Sequence, residues 1–336
     1  MRKCFNISTL LFLICLSFSL YACSDETQSG ESQNAQSSSV KSDDTQNTTP
    51  DLVLGVMPSM DYLPLAVAQR EGYFKDLGIA VNLHKFYSAN ERDAALQSGN
   101  IDGAVIDYTG ALLQKAGGLD LRLTSRCDAP FYIIASAKSG ITSLAGLKGA
   151  SIAVSRNTVI DYCVDMSLES AGLAPEEARK VEINKIPLRY EMLRDGQIDA
   201  TGLPNPLAIK ARQDGGLQLA SNADLGFSIT GIVFSSRAIA NKPEQLRKLY
   251  QAYNLGVAYL AGHETAAVAD ILKQDMGFTD EILSRIDLGD LPAYTPAALP
   301  SQADLDRAAG WLIRKGLLPA DFDCAAITDG DFLGSH

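Results

Sequence analysis

Short polar and charged clusters recur along the chain where apolar runs end, and they carry most of the chemistry the sequence offers. Ser59, Asp61 and Tyr62 follow the run 52–57, Ser88 and Asn90 follow 80–87, and Asp107 and Tyr108 follow 101–106. Asp128 comes directly after Cys127. Arg156, Asn157 and Thr158 follow 151–155, and Asn205 stands between Pro204 and Pro206. Small hydroxyls, acids, tyrosines and one arginine suit noncovalent recognition of a small polar molecule. Arg156 is the sharpest candidate, because a guanidinium beside a helix start adds to the attraction that the helix N–H groups already exert on an acidic group. Asp61, Asp107 or Asp128 would receive an amine or the ring donors of a heterocycle, and Tyr62 and Tyr108 would stack against it. Each cluster also has a structural use. Ser88, Asn90, Asn157 and Thr158 are helix-capping types, Thr158 and Asp161 resemble a capping box, and a tyrosine often buries its ring while its hydroxyl stays wet. His84, His263 and His336 lie far apart without metal-ligand spacing, so a zinc site is not expected. Neither a Gly-x-Ser-x-Gly elbow nor a phosphate-binding Gly-rich loop occurs, and no cofactor is expected.

The clusters meet only if the elements that carry them run side by side. The run 52–57 reads as a strand stopped at Pro58, 64–71 has helical spacing closed by Gly72, 80–87 is a second strand, 90–97 a helix closed by Gly99, and 101–106 a third strand. Strands separated by helices imply parallel pairing through right-handed crossovers. The class is α/β. In open sheets of this kind a ligand sits beyond the carboxyl ends of the strands, where helix N-termini also point. That rule selects the clusters above.

Two segments repeat at an offset of 97 residues, LQSGNIDGA at 96–104 and LRDGQIDAT at 193–201. Each is a helix end, a glycine suited to the left-handed cap and an Ile-Asp pair entering a strand. Two similar units suggest two lobes, although such turn chemistry is also generic. A Gly-rich connector at 139–149 leads to the strand 151–155, and 228–235 is another strand. From Pro243 onward the chain is mainly helical, with buried faces expected on 243–261, 264–276 and 302–315. This last third is expected to pack back on the first lobe.

With 336 residues, 46% of them hydrophobic, and a net charge of −11, the chain has the composition of a soluble globular protein. The acidic balance argues against a nucleic-acid partner, which would need clustered Lys and Arg to displace counterions. Arg2 and Lys3 precede an apolar run at 10–20 that suits a signal-peptide core and is too short to span a bilayer. It ends in Leu20-Tyr21-Ala22-Cys23, which resembles the lipobox of bacterial lipoproteins and marks Cys23 for lipidation. Residues 24–50 hold too few apolar side chains to offset their ordering entropy and read as a tether. Once the signal is removed and Cys23 modified, Cys127, Cys163 and Cys324 remain, a scatter that is no disulfide framework.

The opening 55–74 (GVMPSMDYLPLAVAQREGYF) resembles the start of the nitrate/sulfonate/taurine-type substrate-binding proteins of ABC importers, a superfamily that also holds pyrimidine-binding proteins of thiamine salvage. The Ile-Asp units, SLAGLKG at 143–149, LPNPLA at 203–208 and AGWLIRKGLL at 309–318 continue the likeness in order. It implies a two-lobe periplasmic binding protein fold of the second type, with two crossovers. The expected boundaries are a signal at 1–22, the lipidated cysteine and tether at 23–50, a first lobe from 51–138 plus 229–336 and a second at 139–228. Tyr73, Phe74 and Trp311 match positions that read as packing. The resemblance implies a monomeric, membrane-tethered receptor that hands a small ligand to a permease and its ATPase. Where the family often has an acid before the proline at 206 this chain has Asn205, a departure that weakens the pyrimidine assignment. An enzyme on the same scaffold is the competing class, but the cysteine cluster of such a relative has no counterpart here.

Overall fold

A computed structural model of the chain describes residues 50–286 and 291–334. The export signal, Cys23 and nearly all of the tether fall outside the described residues. The body begins as β1 (Leu52–Val56), α1 (Leu63–Arg70), α2 (Tyr73–Asp76), β2 (Val81–Lys85), α3 (Ala89–Gln97), β3 (Gly103–Asp107), α4 (Tyr108–Ala116) and β4 (Leu121–Arg126). It crosses to β5 (Phe131–Ala135), β6 (Ser151–Val154), α5 (Val159–Ser170), β7 (Arg179–Glu182), α6 (Ile186–Asp195), β8 (Ala200–Pro204), α7 (Leu207–Gln213) and β9 (Leu217–Ser221). It then returns through β10 (Thr230–Ser235) into α8 (Ser236–Asn241), α9 (Pro243–Gly262), α10 (Ala269–Gln274), α11 (Asp280–Leu283) and α12 (Gln302–Arg314).

Two five-stranded sheets result, ordered β2-β1-β3-β10-β4 and β7-β6-β8-β5-β9. In each, the fourth strand is antiparallel to both its neighbours, β10 to β3 and β4, and β5 to β8 and β9. The strand that enters each sheet from the other half of the chain is thus the reversed one. The run 131–135 pairs within the second sheet, so the chain passes from the first sheet to the second between β4 and β5, at 127–130. It passes back to the first sheet between β9 and β10.

The near-repeat is structural. Gly99 and Gly196 both take φ of +73°, the left-handed cap that glycine adopts without strain. The following Ile101 and Ile198 are buried. Asp102 then accepts the N–H of Val53 at 2.9 Å, and Asp199 accepts the N–H of Ser151 at 2.7 Å. In both sheets the aspartate ties the start of the central strand, β3 or β8, to the start of the strand beside it, β1 or β6. The two units thus share one structural task at corresponding places in the two sheets.

The late helices behave as expected in part. α9 packs on α1 so closely that a Cβ on Gly256 would stand 2.1 Å from the Pro64 carbonyl oxygen. α12, however, packs against both α4 of the first lobe and α5 of the second. Trp311 is buried, and its indole N–H donates to Asp165 on α5 at 2.9 Å. Lys315 and Lys180 both pair with Asp161 at 2.5 Å. Asp161 also accepts the N–H of Asn157 at 3.0 Å, so its role is structural. One apolar core runs through Ile106 and Leu123 of the first sheet, Ile133, Ile152 and Val154 of the second, and Leu305 and Leu312 of α12. Cys127, Cys163 and Cys324 are buried free thiols.

Candidate ligand-binding cleft

The carboxyl ends of the two sheets border a narrow cleft. The first lobe supplies Met57, Ser59, Asp61, Ala89, Arg92, Val105, Ile106, Asp107 and Thr230, and the second supplies Phe131, Ser155, Thr158, Val159, Ile160, Asn184, Ile186, Arg189 and Pro204. Most of these positions lie at strand ends or first helical turns, where backbone N–H groups also point. Between the polar groups the walls are apolar.

Four expected residues line this cleft. Ser59 donates its hydroxyl to Asp61 at 2.8 Å, and Thr230 donates to the other carboxylate oxygen at 2.8 Å. Burial pushes the Asp61 carboxyl up to about 6, against the opposing pull of these two hydroxyls and of Arg92. Asp107 caps α4 by accepting the N–H of Gly110 at 2.7 Å and the Thr109 hydroxyl, and its second oxygen faces Arg92 at 3.4 Å. Thr158 caps α5 through a 3.4 Å bond from the Ile160 N–H while its own hydroxyl goes to the Ser155 carbonyl.

The other expected residues lie elsewhere. Arg156 is exposed, pairs with Glu182 at 3.2 Å and borders an open depression with Arg314 and Lys315. Its turn passes through Asn157 at φ +60°, and it is Ser155 and Thr158 that face the cleft. Tyr62 is buried and donates to the Asp275 carbonyl at 3.0 Å, and Tyr108 is buried without lining the space. Asp128 pairs with Arg126 and accepts the Thr295 N–H and hydroxyl at 2.8 Å each, bordering a separate hollow. Asn90 is exposed on α3, while Ser88 is buried at the N-cap position of that helix without a side-chain cap bond. Asn205 is buried before a cis proline, with its amide 3.5 Å from the Tyr132 hydroxyl.

Two buried arginines that strand-end reasoning passed over also line the cleft. Arg92, one turn into α3, is buried and bonds the Val105 carbonyl at 3.1 Å and Asp93 at 2.7 Å besides facing Asp107. Its charge is met within the protein. Arg189, one turn into α6, is buried with only a 2.8 Å bond from a terminal nitrogen to the Ile183 carbonyl. Its Nε is buried without a partner, and among the described residues no carboxylate pairs with it. Burial alone pulls its pKa down to about 10. A guanidinium held out of water without a counter-charge at a cleft wall is built to receive an anion. A signal for it exists in the sequence: Ile186, Arg189, Tyr190 and Leu193 share the buried face of α6, so an arginine occupies an apolar stripe.

A model of the NMT1/THI5-like family matches residues 59–267, from the Ser59 wall of the cleft to beyond α9. The chain belongs to the NMT1/THI5-like family. The family match takes in every polar cleft residue described above. Among relatives of this NMT1/THI5-like chain, a protein of Brucella abortus (strain 2308) named as a candidate binding protein is 25% identical over 189 residues, 55% of this chain. The chain spans 58% of that relative's length. The alkanesulfonate-binding protein SsuA from Xanthomonas axonopodis pv. citri, solved with MOPS bound, superposes with a TM-score of 0.70 at 21% identity, covering 83% of this chain and 98% of its own. The periplasmic nitrate-binding protein NrtA from Synechocystis PCC 6803 gives a TM-score of 0.66 at 15% identity, covering 82% and 84%. These likenesses show the fold, a periplasmic binding protein fold of the second type.

Proposed function

We propose that this chain is the extracytoplasmic substrate-binding lipoprotein of an ABC importer, taking up a sulfonate-, taurine- or nitrate-type anion between its lobes and releasing it, unchanged, to a permease. The observation that carries this reading is Arg189, buried at the cleft wall with no carboxylate partner among the described residues. Family membership and the ligands named for the superposed SsuA and NrtA structures support it. A plain anion fits better than a zwitterion, because Asp61 and Asp107 already hold bonds within the protein. Cleft residues come from both lobes, so a bound anion would favour the closed arrangement over the open one.

Two experiments test the proposal. A ligand of this class at a hundredfold excess over its Kd should stabilise the chain by about 2.7 kcal/mol. In a thermal-shift panel, alkanesulfonates and nitrate should shift the transition and a hydroxymethyl-aminopyrimidine should not; the reverse ranking would move the assignment to the pyrimidine-binding class. The anchor is separate. Cys23→Ala should move a membrane-associated protein into the soluble fraction, and unchanged partitioning would remove lipidation from the account.

A further inference from the structure

We infer that α12 is a strap on the hinge side of the molecule that holds the lobes in the narrow-cleft arrangement and governs how fast a ligand leaves. The segment that carries α12 is fastened at both ends to β4, the strand that leads into the first crossover. Ahead of the helix, the Ala298 carbonyl accepts the Arg126 N–H at 2.7 Å. Behind it, Thr328 pairs with Leu123, whose carbonyl accepts the Asp329 N–H at 2.9 Å. Between these anchors the helix reaches the second lobe. Lys315, just past its end, pairs with Asp161 of α5 at 2.5 Å, and the Trp311 indole N–H donates to Asp165 of α5 at 2.9 Å. Asp304, near its start, shares the walls of one hollow with Pro130 of the first crossover and Ser228 of the second, so the helix lies beside both.

Relative rotation of the lobes must therefore shear the contact between α12 and α5. Trp311 is buried edge-on against Tyr162 of α5, with ring centroids 5.3 Å apart, and Tyr162 meets Phe227 of the second crossover at 5.5 Å. Lys180 pairs with both Asp161 and Asp165, so the two acceptors of α12 are fixed within their own lobe. If the lobes turned, those acceptors would stay behind, and a buried indole N–H and a half-buried ion pair would lose their bonds. The contact also ends in the cleft. Asp161 accepts the Asn157 N–H at 3.0 Å, and the turn around Asn157 presents Ser155 and Thr158 to the ligand space. What α12 grips is the helix whose first turn forms one wall of that space.

Trp311 is the single tryptophan of the chain, so its fluorescence reports on the strap directly. Lys315→Met keeps an apolar stem over the indole, where the ammonium lies 4.4 Å from the ring centroid, and leaves Asp161 paired with Lys180. In the unliganded full-length chain this variant should raise acrylamide quenching of Trp311 severalfold through local opening, with the melting transition still cooperative. Release of methanesulfonate, read from exchange broadening of its methyl resonance, should be about tenfold faster from Lys315→Met and from Trp311→Phe. Lys315→Arg keeps the charge and should match the parent. Arg314→Ala removes only an exposed partner of Glu169 and should match it too. The strap stands on contacts outside the cleft, so only the release measurement rests on the reading of the cleft as an anion site. Quenching in Lys315→Met equal to the parent's would overturn the strap whatever ligand the cleft takes. Release unchanged in both variants, or raised as much by Arg314→Ala, would overturn its control of the ligand. A parent that binds no methanesulfonate would count against the anion reading, and the quenching comparison would still decide the strap.

Discussion

Arg189→Met should lower the affinity for an alkanesulfonate by two orders of magnitude or more without weakening the unliganded protein. The first half follows from charge and burial. A guanidinium out of water makes charge-assisted hydrogen bonds that are about twice as strong as neutral ones, and truncating one partner of a buried charge pair costs about 2–5 kcal/mol. The second half separates a binding role from a structural one. In the free protein Arg189 is buried with one carbonyl bond and, among the described residues, no counter-charge, and burial opposes its ionisation. Methionine follows the arginine chain as far as Nε without a charge and removes that desolvation cost, so the melting temperature of the unliganded variant should be close to the parent's or higher. Calorimetry and thermal unfolding on the same preparation check both halves. A variant that binds normally, or one that loses binding only because it unfolds, contradicts the assignment. Arg156→Ala, by contrast, removes an exposed partner of Glu182 and should leave affinity within about twofold, since exposed pairs are worth about 1 kcal/mol or less.

Asp61→Asn should change how stability depends on pH by roughly 3 kcal/mol. The folded carboxyl holds its proton to about pH 6, whereas an ordinary aspartate, as in the unfolded chain, releases it near 3.8. Between those values the folded state binds more protons, so the contribution of this group to stability falls as pH rises through the window. Other carboxylates, such as Asp120, held low by Lys115, slope the opposite way. The informative quantity is therefore the difference between variant and parent. The unfolding free energy of Asp61→Asn minus that of the parent should grow between pH 4 and pH 7, as urea titrations would show. A constant difference contradicts the raised pKa. The same proton should matter for ligand: a charged Asp61 repels an anion, so parent affinity is expected to weaken above pH 6 and the variant's to stay flat.

Much of this was legible in the sequence, and what was not has identifiable causes. Alternation of strands and helices disclosed the class, and the strand-end rule selects Ser59, Asp61, Asp107 and Thr158, which line the cleft. It does not reach Arg189, because β7, Arg-Lys-Val-Glu at 179–182, is a half-exposed edge strand with no apolar run to mark its end. Arg92 was missed because it lies a turn inside α3 and not at its start. Arg156 was chosen because type and position were right, but at a turn one residue decides whether a side chain faces the cleft or solvent. A buried strand such as 131–135 does not announce which sheet it joins; only its long-range pairing with β8 and β9 decides that. The Ile-Asp repeat was legible, and its reason, an aspartate tying two strand starts together, required the hydrogen bonds.

Native mass spectrometry of the chain after mild purification, with release and identification of whatever travels with it, tests the central claim most directly. The account predicts one small anion per chain, present on the parent and absent from Arg189→Met. A cationic adduct, or one that Arg189→Met retains, would contradict it.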